Sequence, residues 1–540
     1  MLFRSATTLS GGEEVLLKAD TGIEGERVFV RATGAGASGT GIFNDGTIEG
    51  AAVELKAHGN LYALAINNKG SVRATGATSS GGRVYLRGAG GGIDNSGSIE
   101  AMTSNGSGGR VLIEAAYAKV DGLIEAEGGA VRIAATDKAE LGGSIDVSSS
   151  SVPSPGGQVV VEAREISVGS TAAIDASGET GGGSIQIGGG FQGRDATIRN
   201  AETLVIDDGA SLRADALASG NGGSVILWSD GDTEFRGGIT ALGRGDGKGG
   251  FVEVSGKEGL LFDGTVSTLA ENGANGTLLL DPRNLTISSA AASTTNINTT
   301  TLTGLLGTNH VVVSTYDTGT ADAGHITVQN AVIYNSLNSL TLLAEGDLYI
   351  GNHIINRGTG HVNLVAGWDP SVTSLSDLFG VAPGSPGSAT VSAAPDMGSL
   401  IFGTAGSFGK NGGSVYVGLT GHPGSDPSLV AADRAVSVAS RNGQTNVAGY
   451  DVNVWGPALT GAPSVGAQRY AQIGYNRRAA GTVVTDPDPV LGSIRVKAVN
   501  DVSVVANKHE VGILGYNPAG WTAGTTDTGN ASFAQIGHGG

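Results

Sequence analysis

The chain of 540 residues contains no cysteine, which excludes disulfides, thiolate-bound zinc and thiol nucleophiles together. Charge is sparse at 15% and aromatics at 5%, so the surface must be covered largely by Ser, Thr, Asn and Gly. The charge that is present is acidic, 32 Lys and Arg against 50 Asp and Glu, for a net charge of −18. Residues 1–280 and 281–540 are each acidic, so no basic face offers itself to phosphates and no nucleic-acid partner is expected. No run of 18 apolar residues occurs, so no helical membrane-spanning segment is expected. Proline is scarce at 14 residues and no Gly-x-y register exists, which excludes a collagen-like helix. The eight histidines are scattered with no H-E-x-x-H spacing, and no G-x-S-x-G elbow or phosphate-loop lysine is present. Trp228, Trp368, Trp455 and Trp521 stand too far apart in sequence to argue a shared sugar platform.

Glycine is abundant, 93 residues or about 17% against roughly 7% in ordinary chains. Its placement is periodic. Glycine pairs precede short alternating runs such as Arg83-Val84-Tyr85-Leu86, Arg110-Val111-Leu112-Ile113, Gln158-Val159-Val160-Val161 and Phe251-Val252-Glu253-Val254. The second glycines are Gly82, Gly109, Gly129, Gly157, Gly183, Gly223 and Gly250, with Gly276 in an altered copy, at intervals of 27, 20, 28, 26, 40, 27 and 26. Between them recur a middle aliphatic run, such as Glu165-Ile166-Ser167-Val168, and a third one, such as Gly143-Ser144-Ile145-Asp146. Three short strands per repeat leave no room for a helix.

That period predicts an all-β fold, a parallel β-helix, or β-solenoid, with Gly-rich corners and inserted loops. Glycine serves there both through positive φ at a corner and through close approach of successive coils. Three regions are expected: a Gly-Gly repeat β-helix over 1–280, an irregular continuation over 281–400 with an inserted loop at about 368–399, and a β-helix over 401–540. The last carries the repeat Tyr470-Ala471-Gln472-Ile473-Gly474, which returns 63 residues later as Phe533-Ala534-Gln535-Ile536-Gly537. The 40-residue interval after Gly183 fits an extra loop or a coil without its glycine pair. Asp281-Pro282 reads as a structural joint.

The segments Gly250-Phe251-Val252-Glu253-Val254-Ser255-Gly256 and Gly276-Thr277-Leu278-Leu279-Leu280-Asp281-Pro282-Arg283-Asn284-Leu285-Thr286-Ile287 resemble signatures of the filamentous haemagglutinin-like large exoproteins. The C-terminal Phe533-Ala534-Gln535-Ile536-Gly537-His538-Gly539-Gly540 is similar to another segment of that family. The resemblance implies a right-handed parallel β-helix serving as an adhesin shaft, secreted by two-partner secretion through an outer-membrane β-barrel transporter and displayed on a Gram-negative cell. It implies attachment to a host or neighbouring-cell surface glycan or protein, without catalysis and without a cofactor. Met1–Ser10 has no apolar core of a signal peptide, and no Asn-Pro-Asn-Gly-type secretion motif is found, so an interior fragment of a longer fibre is expected. The inserted loop is the expected point of contact.

Two further readings stay open, the shaft of a contact-dependent toxin and a calcium-dependent polysaccharide lyase. The lyase would use Asp207, Asp208 and Arg213, or Asp230, Asp232 and Arg236. Calcium candidates by residue type are Glu49, Glu100, Glu125, Asp146 and Asp175, which should stack at one edge of successive coils. Arg73 and Arg213 occupy the same place in other coils, which favours a plain acidic, solvated edge.

Overall fold

The computed structural model describes residues 6–11, 15–18, 22–32, 40–57, 64–76, 81–103, 108–150, 153–315, 324–375, 378, 404, 406–419, 435–456, 469–474, 491–505 and 532–537. The described residues divide into two compact units, the first up to Leu278 and the second from Leu279 onward. Each is a parallel β-helix of three ladders, consistent with the right-handed winding that parallel crossovers adopt.

In the first unit, the first ladder pairs ten segments beginning at Ala6, Arg27, Ala52, Arg83, Arg110, Ala130, Gln158, Ser184, Ser224 and Phe251, each parallel to the next. The middle runs form a second ladder and the third runs a third, again rung on rung. Alternation turns every second side chain inward, where like stacks on like. Val84, Val111, Val131, Val159, Ile185, Val225 and Val252 make one buried column, and Ile99, Ile124, Ile145, Ile174, Leu212 and Ile239 another. A single coil could not bury these faces, so each rung depends on its neighbours.

The two roles of glycine separate in the structure. In the first unit, left-handed φ falls on the first members of three pairs, Gly81 at 23°, Gly108 at 79° and Gly128 at 61°, while Gly156, Gly182, Gly222 and Gly249 lack it and are held by close approach. The second members have ordinary φ and are needed for close approach: a Cβ on Gly129 would lie 2.1 Å from the Gly109 carbonyl oxygen, and one on Gly157 2.3 Å from that of Gly129. Those same oxygens accept the next rung's backbone N–H, Gly109 from Ala130 and Gly129 from Gln158, both at 2.9 Å. The glycine column therefore lets a backbone hydrogen bond form where a side chain would block it.

One interior column, which opens on the buried Leu17, is polar over its next three rungs. Asn44, Asn68 and Asn95 are fully buried, and the amide of Asn44 donates to Asn68 and that of Asn68 to Asn95, each at 2.7 Å. Beyond Asn95 the column continues as Val120, Leu141, Val168, Ile206, Phe235 and Phe262. The Phe235 and Phe262 rings sit 5.0 Å apart.

The second unit repeats the three-ladder plan with longer excursions. Its ladders include Val311–Ser314 on Leu340–Ala344 on Val362–Ala366 on the strand Thr445–Trp455, Ile326–Val328 on Leu348–Ile350 on Val415–Val417, and Ile354–Asn356 on Val436–Ser440. Strands on either side of the expected 368–399 loop share these ladders. Of that loop Trp368–Leu375 and Leu378 are described, with Trp368, Leu375 and Leu378 buried; the rest lies outside the described residues. The 63-residue repeat stacks in register, Tyr470 opposite Phe533 through Ile473 opposite Ile536. Asp281 and Pro282 are buried directly after the strand Thr277–Leu280.

Polar residues just ahead of the strands form a column of their own. The side chain of Asn284 accepts the backbone N–H of His325, His325 Nδ1 that of Asp347, Asp347 that of Ser414, Ser414 Oγ that of Asp451, and Asp451 that of Asp501, at 2.8–3.2 Å. Each coil thus satisfies an N–H of the next before the ladder begins.

The second unit also holds an α-helix, Thr299–Thr308, in the stretch expected to be irregular β-helix. Asn298 caps it through Thr300 N, and Asn309 and Asn338 donate to carbonyls of its last turn. Leu302, Leu305 and Leu306 lie at helical spacing and are buried, which overrides the weak helix propensity of the threonines.

Candidate functional site

The long interval after Gly183 is a loop folded over the outer face of the first ladder. Phe191 packs edge-on against Phe251, and the Gln192 N–H donates to the buried Glu253 carboxylate at 3.2 Å. Trp228 Nε1 donates to Asp230 at 3.1 Å, and Asn200 donates to the same carboxylate. Arg132 reaches Glu162 at 2.8 Å and the Thr197 carbonyl at 2.9 Å, while the Arg199 N–H donates to Glu162. These contacts explain why both sides of the strands Ser184–Ile187, Ser224–Ser229 and Phe251–Gly256 are buried.

Where the loop ends, a groove of about 430 Å³ opens along the outer face. Its floor is the outward column Tyr85, Leu112, Arg132, Val160 and Gln186, supplied by successive rungs, with Arg110 and Gln158 beside it. Asp195, Thr197 and Ile198 of the loop make one wall. Asp195 is engaged internally, accepting the Thr197 N–H at 2.9 Å and its hydroxyl at 2.7 Å. Tyr85 is half-buried with Arg87 over its ring at 5.4 Å. Gln186 is 6% exposed, and its side-chain oxygen has no hydrogen-bond donor among the described residues. Arg83 and Arg110 are register partners on adjacent rungs, both exposed, and form no ion pair among the described residues. Sequence reasoning did not single out these residues; the signal that could have found them was the 40-residue interval.

The carboxylates expected to stack do stack. In the third ladder the order is Glu49, Arg73, Glu100, Glu125, Asp146, Asp175 and Arg213, each opposite the next. Arg73 pairs with Glu100 at 3.3 Å, and Arg213 lies 3.8 Å from Asp175 and 3.3 Å from Asp215. Asp146 and Asp175 cap their own corners, accepting the N–H of Ser148 and of Ser177 at 2.8 Å. Glu125, between two acids, is held above the usual carboxylate range by burial and then by the charges of Glu100, Asp146 and Glu127. Among the described residues no group of three or more His, Asp or Glu converges as a metal site.

In both acid–arginine sets the arginine pairs with a carboxylate outside its own set, Arg213 with Asp175 and Asp215 and Arg236 with Glu234. Asp207 and Asp208 are exposed at a turn closed by the Ala210 N–H on the Asp207 carbonyl. Arg236 pairs with Glu234 at 2.8 Å, while Asp230 holds Trp228 and Asn200. Among the histidines, His310, His325, His353 and His361 each accept a backbone N–H at Nδ1, from Ser339, Asp347, Ser437 and Gln444. His310 is pushed down to about 4 by burial and then by His361. No helix among the described residues is long and apolar enough to cross a membrane.

No protein-family model matches the chain, and no curated protein matches it. Among solved structures it is similar to the HMW1 secretion domain from Haemophilus influenzae, at 20% identity over 51% of this chain and 78% of that one, with a TM-score of 0.36. Superposition this loose carries neither a site nor an activity across.

Proposed function

We propose that the chain is the non-catalytic shaft of a secreted exoprotein, exported through an outer-membrane β-barrel transporter to the outside of a Gram-negative cell, where it serves attachment to cells or surfaces. One observation carries the reading: ten rungs of the first unit stack in register, each using the next to satisfy its backbone. Such a stack lengthens by one coil at a time, about 4.8 Å per rung, which suits a part whose task is reach. A cysteine-free chain that folds coil upon coil also suits passage through a pore in extended form. The exoprotein-like segments at 250–256 and 276–287 support the same reading. The surface that meets the shaft is a glycan or protein of a host or neighbouring cell.

The test deletes the coding segment in frame from its natural host and measures attachment to cells and to abiotic surfaces. Loss of attachment with unchanged growth is the expected result. Unchanged attachment, or release of unsaturated ends from uronic-acid polymers by the purified chain in calcium, would overturn the proposal.

A further inference from the structure

At the first unit's outer groove, whose lining includes Arg110 with Arg83 on the neighbouring rung, two features lack a counterpart within the fold and a third, Tyr85, is covered by Arg87 on one side. Gln186 buries a carbonyl that receives no donor among the described residues, a cost the fold bears unless something supplies an O–H or N–H. Arg83 and Arg110 set like charges opposite each other on neighbouring strands, an arrangement that an anion between them would relieve. Tyr85, on the rung of Arg83 and four rungs from Gln186, offers a half-buried ring at that end of the groove.

We propose that this groove binds an acidic saccharide, a chain of sugars carrying hydroxyls and carboxylates, lying along the solenoid across successive rungs. A hydroxyl donates to Gln186, a carboxylate sits between Arg83 and Arg110, and the carbon face of a sugar rests on Tyr85. Five rungs line the groove, those beginning at Arg83, Arg110, Ala130, Gln158 and Ser184, a span of about 20 Å at 4.8 Å per step. A peptide would fit less well. Peptides are commonly held by adding a strand to an open sheet edge, but these five strands are paired on both sides and present only side chains. The loop wall at Ile198 closes the groove on one side and sets its width. This site is separate from the shaft reading, because a chain that fails the attachment test can still bind a sugar.

The experiment titrates the full chain by calorimetry with a tetrasaccharide of galacturonic acid, a neutral glucose tetrasaccharide and an acidic peptide of glutamates. Binding of the acidic sugar alone is expected, weakened about tenfold or more by Arg110→Ala and by Gln186→Leu, since each loses a hydrogen bond to a buried or charged group. Gln186→Leu replaces an unpartnered polar group by an apolar one, so its melting temperature should hold or rise while binding falls. No binding of the acidic tetrasaccharide, equal binding of the neutral one, preference for the peptide, or full affinity in both variants would each overturn the proposal.

Discussion

At the residue scale, two titrating groups act on stability with opposite sign. Glu125 has its folded value raised, so its ionised form is disfavoured in the fold and its charge costs stability at neutral pH. That cost is relieved as pH falls through the raised value. Glu125→Gln should therefore stabilise the chain at pH 7 by a few tenths to about 1 kcal/mol, with the gain fading toward pH 4 in denaturant titrations. His310 is the reverse: its folded value, about 4, lies below the 6.5 of the free side chain, because burial opposes the charge. The unfolded chain takes up this proton near pH 6.5 and the fold resists until about 4. The stability it contributes is complete above 6.5, falls by about 3 kcal/mol between those values, and is flat below. Facing it are His361, whose charge adds to the effect, and Ser339, whose N–H it accepts at 3.1 Å. His310→Asn, which keeps an acceptor, should flatten this part of the pH profile; an unchanged slope from pH 7 to 4 would refute the assignment.

At the element scale, the glycine column makes a sharp prediction. Gly157→Ala would place a methyl 2.3 Å from the Gly129 oxygen and 2.8 Å from the Val147 oxygen, both fixed backbone atoms. It should cost about 2–3 kcal/mol. Gly169→Ala meets only the Leu141 oxygen at 3.6 Å and should stay within about 0.5 kcal/mol. In the helix Thr299–Thr308, Gly304 is exposed and a methyl there would meet nothing within 4 Å, so Gly304→Ala should stabilise by about 1 kcal/mol. Equal effects at Gly157 and Gly169 in urea unfolding would show that the column is not what selects glycine. These elements also mark what the sequence could reveal. The Gly-Gly strands were legible because stacking repeats one spacing and one alternation many times. The helix was not, because its threonines and glycines resemble loop, and only three buried leucines decide it. The asparagine ladder left a trace in Asn44-Asp45-Gly46, Asn68-Lys69-Gly70 and Asn95-Ser96-Gly97, but a polar residue in an alternating run reads as outward until its neighbours in the stack are known. The acceptor column was hidden likewise, since Asn284, His325, Asp347 and Ser414 differ in type and share only the ability to accept an N–H. The groove could not be read at all from strand pattern, because it is made by a loop crossing back over rungs far apart in sequence.

At the scale of a whole unit, stability in a stack is a sum over rungs and their interfaces, so a complete rung should be removable where a partial one is not. Residues 110–129 form the most compact rung of the first unit, one full circuit from Arg110 to the next glycine pair. Cutting them out joins Gly109 to Ala130 and brings Val84 onto Val131, Leu86 onto Ile133 and Ile99 onto Ile145, replacing each lost neighbour by one of the same character. The Gly82 oxygen, which accepts Arg110 N–H, then faces the N–H of Ala130, and the Gly97 oxygen faces that of Ser144 in place of Leu123. Removing only residues 120–129 joins Lys119 to Ala130, deletes the strand Leu123–Glu125 and its corner, and leaves the third ladder broken. The whole-rung deletion should keep a native-like far-ultraviolet spectrum and a cooperative transition, with a slightly smaller denaturant slope because less surface is exposed on unfolding. The shorter deletion, though it removes fewer residues, should unfold at lower denaturant or fail to fold. If the shorter deletion proves the more stable of the two, the rung is not the unit in which this fold is built.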